Sequence, residues 1–322
     1  MKAWIVEQWC KPEEIELKDV DAPSPGKGQV LVKVEAAAVN FFDVLQVQGK
    51  YQHKPPFPFS PGGEIAGVVE SVGEGVSLRP GTRVMATTQG GYAEYALCPH
   101  DNVWAIPDAM TFEHAAAFPI VYQTSYFGLV HRGQLQKNEW LLVHAGAGGV
   151  GSAAIQIGKA LGARIIATAG SPEKLEVCKE LGADFAVSYK DEGWHEKVKE
   201  ITGGHGADVI YDPVGGDVFD LSTKCIAFEG RLVVIGFASG RIPEIAANRI
   251  LLKNIAIVGL HFGEYRNHKP QMVTDGMNAL YKMYEEGTVK PLVSKTYPLA
   301  EAKQAMADIA GRASTGKLIL VP

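Results

Sequence analysis

The sequence of 322 residues has little of what marks several large classes of protein. It contains only four cysteines (Cys10, Cys98, Cys178 and Cys225), and no two of them form a CxxC pair. A disulfide-stapled domain or a cysteine-rich zinc site is therefore not expected, and the thiols fit a reducing compartment. No apolar run reaches the roughly 18 residues of a membrane span. The N-terminal segment alternates like a strand and lacks the apolar core of a signal peptide, so we expect a cytoplasmic protein.

The sequence also lacks a strong excess of positive or negative charge. The chain has 31 Lys and Arg against 36 Asp and Glu, which gives a net charge of −5, and no block of Lys or Arg stands out. This balance argues against nucleic acid or an anionic membrane as the main partner. Hydrophobic residues at 46% and charged residues at 21% are typical of an ordinary globular protein. The length predicts two domains.

One glycine-rich run is the most informative feature that is present. An apolar strand, residues 140–144, enters it, and an Ala- and Ile-rich helical pattern runs from Ser152 to Gly162. In such a unit the first glycine permits the tight turn, the second lets the backbone approach a pyrophosphate, and the third lets helix and strand pack closely. The alternative is a turn that binds no ligand. The pattern predicts a dinucleotide site whose N–H groups face phosphate, formed by Gly146, Ala147, Gly148, Gly149, Val150 and Gly151.

The periodicity changes along the chain. Up to about Pro119, short strand patterns between Gly and Pro turns predict a mostly antiparallel, partly closed β domain. Six strand-like runs then alternate with helical stretches, which predicts a doubly wound parallel sheet, the Rossmann arrangement. These runs are residues 140–144, 165–169, 185–189, 208–212, 232–236 and 255–260.

The C-terminal segment has a long helical pattern, residues 271–286, and a final strand, residues 316–322. A strand that follows six Rossmann strands is expected to return to the first domain. The predicted division is therefore a β-rich catalytic domain of residues 1–121 and 263–322, and a dinucleotide-binding domain of residues 122–262.

The end of the second strand of that sheet favours NADPH over NADH. An NAD site has an acidic residue there to bind the ribose 2′-hydroxyl, but this chain has Ala169 and Gly170. Ser171 can donate a hydrogen bond to a 2′-phosphate, Lys174 supplies a positive charge, and Tyr189, at the end of the third strand, can donate its hydroxyl. Alternatively, Lys174 is a solvated helix residue.

Together with the first domain, these residues resemble the medium-chain dehydrogenase/reductase superfamily, and within it the zinc-free quinone oxidoreductases. The resemblance runs nearly end to end. It implies a GroES-like β domain beside the Rossmann domain. Its markers are residues 38–43 (AVNFFD), 61–70 (PGGEIAGVVE), 91–95 (GYAEY), 144–151 (HAGAGGVG), 211–215 (YDPVG) and 315–320 (TGKLIL).

The resemblance also bears on metal. Zinc dehydrogenases of the superfamily have Cys where this chain has Asn40 and His where it has Gly63, and neither residue here can serve as a tight zinc ligand. We expect no zinc. Residues 84–94 are expected to form only a short loop in place of the zinc-binding lobe. Without a metal to stabilise an alkoxide, we expect hydride transfer to an acceptor that delocalises the incoming charge, such as a quinone or an α,β-unsaturated carbonyl.

Individual roles follow from the same resemblance. Asn40 is expected to bond the nicotinamide ribose or the substrate carbonyl, unless it only holds a strand-to-helix turn. Tyr51 is expected over the substrate pocket as a polarising or proton-donating phenol, unless it packs on the neighbouring prolines. Relatives often carry a second pocket tyrosine where this chain has Leu45. Further cofactor contacts are expected from Thr124, Phe237, Ala238, Ser239, Phe262 and Gly263, with Lys317 adding positive charge on the adenine side.

Thr124 and Phe262 are equally compatible with roles in packing. The sixth Rossmann strand, from Asn254 to Leu260, is expected at the sheet edge, where relatives join as homodimers. The leading function is an NADPH:quinone reductase. An NADPH-dependent enone or alkenal reductase is the alternative, and an NADPH-binding structural or RNA-binding protein is a third possibility.

Overall fold

The computed structural model describes residues 1–322, and the chain forms fifteen strands. In chain order they are β1 (Lys2–Ile5), β2 (Glu16–Asp19), β3 (Gln29–Val39), β4 (Glu64–Val72), β5 (Arg83–Thr87), β6 (Tyr95–Pro99), β7 (Val103–Ala105), β8 (Trp140–Val143), β9 (Arg164–Ala169), β10 (Phe185–Ser188), β11 (Ala207–Asp212), β12 (Ile226–Val234), β13 (Ala256–Gly259), β14 (Val293–Pro298) and β15 (Lys317–Val321).

Eleven α-helices connect these strands. They are α1 (Phe41–Val47), α2 (Phe112–Ala116), α3 (Val121–Tyr126), α4 (Gly149–Ala160), α5 (Pro172–Glu180), α6 (Trp194–Ile201), α7 (Gly216–Cys225), α8 (Ala247–Lys253), α9 (Gly263–His268), α10 (Pro270–Glu285) and α11 (Ala302–Ala310). A π-helical turn, Phe127–Arg132, follows α3. The longest helix, α10, has 16 residues, and none combines the length and apolarity that crossing a bilayer requires.

The chain divides into two compact units. The first consists of residues 1–120 and 291–322, and the second of residues 121–290. In the second unit, six parallel strands lie in the order β10-β9-β8-β11-β12-β13. This is the order of two βαβαβ halves that meet between β8 and β11. The doubly wound parallel sheet predicted from the alternating periodicity is confirmed.

Burial explains why the central strands of that sheet are continuous apolar runs. All four residues of β8 and all six of β11 except Asp208 are buried. Parallel strands covered on both faces require apolar side chains throughout, whereas half-exposed strands would alternate. The α4 helix packs on β8 and β9 and presents small residues to them. A Cβ on Gly158, for example, would lie 2.5 Å from Leu141 Cδ2.

The first unit contains a seven-stranded sheet. Its order is β14-β15-β3-β4-β5-β7, with β6 also paired to β3, and every pair except β14–β15 is antiparallel. The path ends at β14 and β7 and does not close into a barrel. A separate antiparallel pair, β1–β2, completes the unit. These findings confirm the mostly antiparallel, partly closed β domain.

The second domain boundary differs from the predicted one. The segment 263–290, which contains α9 and α10, belongs to the second unit and not to the β-rich one. The amide of Gln156 on α4 bonds both backbone groups of Lys290, at 2.9 and 2.6 Å. A Cβ on Gly276 of α10 would lie 2.9 Å from the ring of Phe127. These contacts join the segment to α4 and to the π-helical turn after α3, and the helical periodicity of the sequence gives no sign of them.

Two smaller expectations have opposite outcomes. The last strand returns to the first unit as predicted, because Leu318 of β15 pairs with Val39 of β3. Residues 84–94 are not only a loop, because Arg83–Thr87 form β5 between β4 and β7. The loop is limited to residues 88–94.

Candidate functional site

The turn between β8 and α4 shows why glycine is needed at two of its positions. A Cβ on Gly146 would lie 2.8 Å from Cys178 Sγ and 2.9 Å from Ala167 Cβ, and one on Gly151 would lie 2.2 Å from the carbonyl oxygen of Ala145. The left-handed residue of the turn is Ala145, with φ of 50°. The expectation that Gly146 supplies the tight turn is therefore wrong, because Gly146 serves the packing of α5 and β9.

Gly148 differs from the other two glycines. A Cβ there would meet only one neighbouring atom, the carbonyl oxygen of Ala145, at 3.2 Å. Gly148 is the N-cap of α4, and no side chain caps this helix. Gly149 and Val150 are half-buried in its first turn, while Ala147 is buried. The outer face of the turn thus offers backbone N–H groups and the positive end of a 12-residue helix to an anion.

The phenol of Tyr189 occupies the space beside Gly170, which directly follows β9. A Cβ on Gly170 would lie 2.3 Å from Tyr189 Oη and 2.7 Å from its Cζ. The acidic residue of an NAD site has no room at position 170 while Tyr189 is in place. The next residue, Ser171, is the N-cap of α5 and accepts a hydrogen bond from the N–H of Lys174 at 3.4 Å.

The charges beside Gly170 are mainly positive. Burial lowers the pKa of Lys174, and the neighbouring positive charge of Lys190 lowers it further. Glu173 is turned back on its own helix. Its N–H and the hydroxyl of Ser171 hold the pKa of the Glu173 carboxyl below its usual range. Two ammonium groups held near each other favour an anion between them, and Lys190 was missed in the sequence because it follows Tyr189 as an ordinary exposed lysine.

The carboxyl edge of the sheet brings two loops together. The N–H groups of Ala238 and Ser239 donate to the carbonyls of Pro213 and Val214, at 3.0 and 2.9 Å. The ring of Phe237 is 36% exposed beside them. These loops follow β12 and β11, at the edge where open α/β sheets bind their ligands.

A short relay holds α3 against the glycine-rich turn. Tyr211, in β11, is hydrogen-bonded to Ser125 at 3.0 Å, and Ser125 donates to the carbonyl of Val150 at 2.9 Å. Thr124, the residue before Ser125, is half-buried. Phe262 is buried, and its ring centroid lies 5.1 Å from that of Phe127. This contact agrees with the packing alternative for the Phe262 side chain.

In the first unit, three polar side chains are buried together. Lys317 Nζ lies 2.5 Å from Asn40 Oδ1 and 2.7 Å from Glu64 Oε1, and Asn40 Nδ2 donates to Glu64 Oε1 at 2.9 Å. Lys317 is 3% exposed. The expectation that Lys317 adds charge on the adenine side is therefore wrong, because the pairing of β15 with β3 turns its ammonium into this cluster.

Asp43 and Tyr51 both follow Asn40 in the chain, Asp43 in the first turn of α1 and Tyr51 after the end of that helix. The Tyr51 ring is half-buried and packs on Phe42 at a centroid distance of 5.3 Å. Asp43 Oδ2 accepts the backbone N–H of Asn40 at 2.8 Å and the hydroxyl of Tyr92 at 2.9 Å.

Comparison with known proteins identifies the family. The family described as "Zinc-binding dehydrogenase" matches residues 149–277, and the one described as "Alcohol dehydrogenase GroES-like domain" matches residues 26–108. A quinone oxidoreductase-like protein 2 homolog from Nematostella vectensis is 42% identical over 92% of this chain and 82% of its own length. The quinone oxidoreductase of Mus musculus is 35% identical over 100% of this chain and 98% of its own length.

The chain belongs to the zinc-free quinone oxidoreductase branch of the medium-chain dehydrogenase/reductase superfamily. The crystal structure of Escherichia coli quinone oxidoreductase in complex with NADPH resembles it with a TM-score of 0.93, at 29% identity and full coverage of both chains.

Zinc does not fit this member of the branch. A Cβ on Gly63 would lie 2.4 Å from Phe42 Cζ, so no imidazole can stand there without moving that ring. The amide oxygen of Asn40 faces the ammonium of Lys317, which would repel a second cation. No group of three or more His, Cys, Asp or Glu residues could hold a metal ion.

Glu64 is the buried residue of this site that sequence reasoning missed. The available signal was its position. Glu64 opens the apolar strand β4, as Lys317 opens β15, and a charge at the start of a strand buried on both sides needs a partner. Only the pairing of both strands with β3 identifies that partner.

Proposed function

We propose that this protein is an NADPH-dependent quinone reductase that works without zinc. One observation carries the cofactor choice: the Tyr189 phenol lies against Gly170 and takes the space of the acidic residue of an NAD site. The positive charges of Lys174 and Lys190, which act on each other, favour an additional phosphate. The full-length similarity to quinone oxidoreductases supports the acceptor class.

The residues of the second unit fit NADPH. Backbone N–H groups from Gly149 to Gly151 would hold the pyrophosphate, and the residues around Gly170 would hold the 2′-phosphate. When bound, NADPH supplies a hydride from the nicotinamide ring. The proposed cofactor contacts of this unit are Thr124, Gly146, Ala147, Gly148, Gly149, Val150, Gly151, Ser171, Lys174, Tyr189, Phe237, Ala238, Ser239, Phe262 and Gly263, with Lys190 added.

Asn40 and Tyr51 are the proposed catalytic residues on the substrate side. Reduction of a quinone takes one hydride and one proton, and negative charge collects on the quinone oxygens. An N–H of Asn40 and the hydroxyl of Tyr51 can donate hydrogen bonds to that charge, which lowers the barrier if the donors are held in place beforehand. The departing cofactor is NADP⁺ and the product is the hydroquinone.

The activity test follows NADPH oxidation at 340 nm with a 1,4-benzoquinone and a 2-alkenal side by side, and NADH as the cofactor control. Turnover with the quinone and NADPH is expected. Preference for the alkenal would instead identify an enone or alkenal reductase. If NADPH binds and neither acceptor is reduced, the catalytic assignment fails and a binding role replaces it.

A charge-removal pair tests the cofactor site. The double variant Lys174→Ala/Lys190→Ala should raise the KM for NADPH about 100-fold and leave that for NADH unchanged, because each charge-assisted hydrogen bond is worth roughly 1.5–3 kcal/mol. The matched control is Lys179→Ala/Lys197→Ala, which removes two exposed lysines of α5 and α6 that pair with Glu176 and Glu200. Equal effects on NADPH and NADH would contradict the proposed phosphate site.

We also propose a homodimer that joins through the strand from Asn254 to Leu260. In the structure β13 is the last strand of its sheet, with β12 on one side only. Leu251 and Leu252, in the preceding helix α8, are 74% and 77% exposed. An open strand edge beside exposed leucines favours pairing with a second copy.

A further inference from the structure

The polar cluster of Asn40, Glu64 and Lys317 is a closed ring of hydrogen bonds. Each of the three side chains bonds both of the others, over 2.5, 2.7 and 2.9 Å. The side chains of Lys317 and Glu64 are 4% and 0% exposed. Burying two charges costs free energy that their mutual attraction offsets only in good geometry, and replacing such a pair with apolar residues is often neutral for stability. A gain in folding stability therefore does not by itself explain why this buried ion pair is present.

The sheet brings the ring together at one strand end. Glu64 opens β4 opposite Ala38, and Lys317 opens β15 next to Leu318, which pairs with Val39. Asn40 follows directly after β3 as the N-cap of α1. All three residues thus reach the point where β3 ends.

The chemistry of the partners determines how the Asn40 amide is turned. An ammonium group only donates, so it must face the amide oxygen, and a carboxylate only accepts, so it must face the amide nitrogen. Glu64 itself is held in place, because its Oε2 accepts the N–H of Ile120 at 2.8 Å. The backbone of Asn40 is held separately by Asp43. The amide cannot flip without breaking two charge-assisted hydrogen bonds.

The ring uses one N–H of the Asn40 amide fully and leaves the other only weakly bonded. One N–H of Asn40 goes to Glu64, and the other has only a long contact of 3.5 Å to the carbonyl of Ala38. An ammonium on the amide oxygen also withdraws electron density from the nitrogen, which strengthens the remaining N–H as a donor.

We propose that Glu64 and Lys317 are positioning residues that fix and polarise the Asn40 amide, so that its remaining N–H donates to the substrate oxygen that gains negative charge. This proposal rests on the proposed role of Asn40 in quinone reduction. A preoriented donor stabilises developing charge more than one that must reorient during the reaction. The two residues act only through Asn40.

The test removes both charges together, because removing one would leave the other buried and unpaired. In Glu64→Gln/Lys317→Met we expect kcat for the quinone to fall at least about tenfold, while the Kd for NADPH, from cofactor fluorescence, stays within about twofold. The matched control, Lys33→Met/Glu35→Gln, removes an exposed ion pair of β3 and should keep the parent kcat. A parent-like kcat in the Glu64/Lys317 variant would overturn the proposal.

A double-mutant cycle tests whether the effect runs through Asn40. Adding Glu64→Gln/Lys317→Met to Asn40→Ala should lower kcat no further than Asn40→Ala alone. Losses that multiply would show that the ion pair acts by another route and would overturn the proposal.

A spectroscopic measurement separates this proposal from the proposed function. The side-chain ¹⁵N–¹H signals of Asn40, assigned by their absence in Asn40→Ala, should shift and exchange faster with solvent in Glu64→Gln/Lys317→Met. Unchanged signals would overturn the positioning role even if the enzyme reduces quinones. Lack of quinone turnover in the parent would overturn the proposed function and leave this readout decisive for the ring.

Discussion

Asp43 is a fully buried acid with one unpartnered oxygen. Its Oδ2 accepts two hydrogen bonds, from Asn40 and Tyr92, but its Oδ1 is buried without a partner. Burial raises the pKa of Asp43 from 3.8 to about 7, against the lowering effect of those two donors. The folded protein therefore binds a proton at Asp43 more tightly than the unfolded chain does.

The sign of the resulting pH dependence follows directly. Between pH 3.8 and about 7 the folded state keeps the Asp43 proton that the unfolded chain has lost, so stability falls as the pH rises through this window. Asp43→Asn has no such proton. The free energy of unfolding of the parent, relative to Asp43→Asn, should fall by up to about 1.4 kcal/mol for each pH unit and level off above pH 7.

Urea unfolding of both proteins at pH 4.5, 6 and 7.5 measures this difference. The comparison cancels groups that titrate in both proteins, among them Asp212, whose pKa burial raises to about 6. A difference that stays constant across the three pH values would contradict the assignment to Asp43.

His144 is a buried histidine whose side chain connects neighbouring elements by hydrogen bonds. Ser222 donates to the carbonyl of Val218, so its hydroxyl oxygen accepts from His144 Nε2, while Nδ1 accepts from Thr168. Burial lowers the pKa of His144 to about 3. The ring is therefore neutral at physiological pH and holds β8, β9 and α7 together next to the glycine-rich turn.

At the scale of elements, the β8–turn–α4 unit separates packing from binding. A Cβ on Gly151 would lie 2.2 Å from the carbonyl oxygen of Ala145, whereas one on Gly148 would meet only that same oxygen, at 3.2 Å. Gly151 is therefore required for the helix to pack on the turn, and Gly148 for a ligand to approach the backbone.

A pair of alanine substitutions tests this division. Gly151→Ala should destabilise the protein by roughly 1–3 kcal/mol through overpacking and should weaken NADPH binding as well. Gly148→Ala should lower the melting temperature less, because its single close contact is at 3.2 Å, and should weaken NADPH binding, because a side chain at the N-cap of α4 would crowd the proposed pyrophosphate site. Thermal melts with and without NADPH measure both effects. Equal losses of stability in the two variants would refute the division.

The β3 strand is the element on which the substrate-side residues depend. It has 11 residues and pairs with β4, β6 and β15. Because a one-residue slip in register would turn every side chain to the opposite face, these pairings decide that Glu64 and Lys317 meet Asn40.

At the scale of the whole molecule, the proposed homodimer can be tested by its mass in solution. Light scattering should give a mass about twice 34.6 kDa for the parent. Leu251→Glu/Leu252→Glu should give a monomer, because charge on two exposed leucines opposes apolar pairing. NADPH binding by the variant serves as the check that it is folded. A parent that is monomeric at every concentration would refute the interface.

Much of the second unit could be predicted from the sequence. The six strands, the glycine-rich turn and the absence of an acid at residue 170 are local patterns, and each appears in the structure at or near its expected place. The boundary at residue 262 failed, because the attachment of α10 depends on single contacts such as that of Gln156 with Lys290.

The sequence by itself determined the doubly wound sheet and its dinucleotide turn, because strand periodicity and the space left by glycine act over a few neighbouring residues. Only the tertiary structure decided the surroundings of Asn40. Lys317 lies 277 positions from Asn40 and 253 from Glu64 in the chain. From the sequence, an isolated lysine is expected to be solvated. Lys317 is instead a buried partner of Asn40 and Glu64 because β15 and β4 both pair with β3, and strand register depends on the packing of the whole sheet.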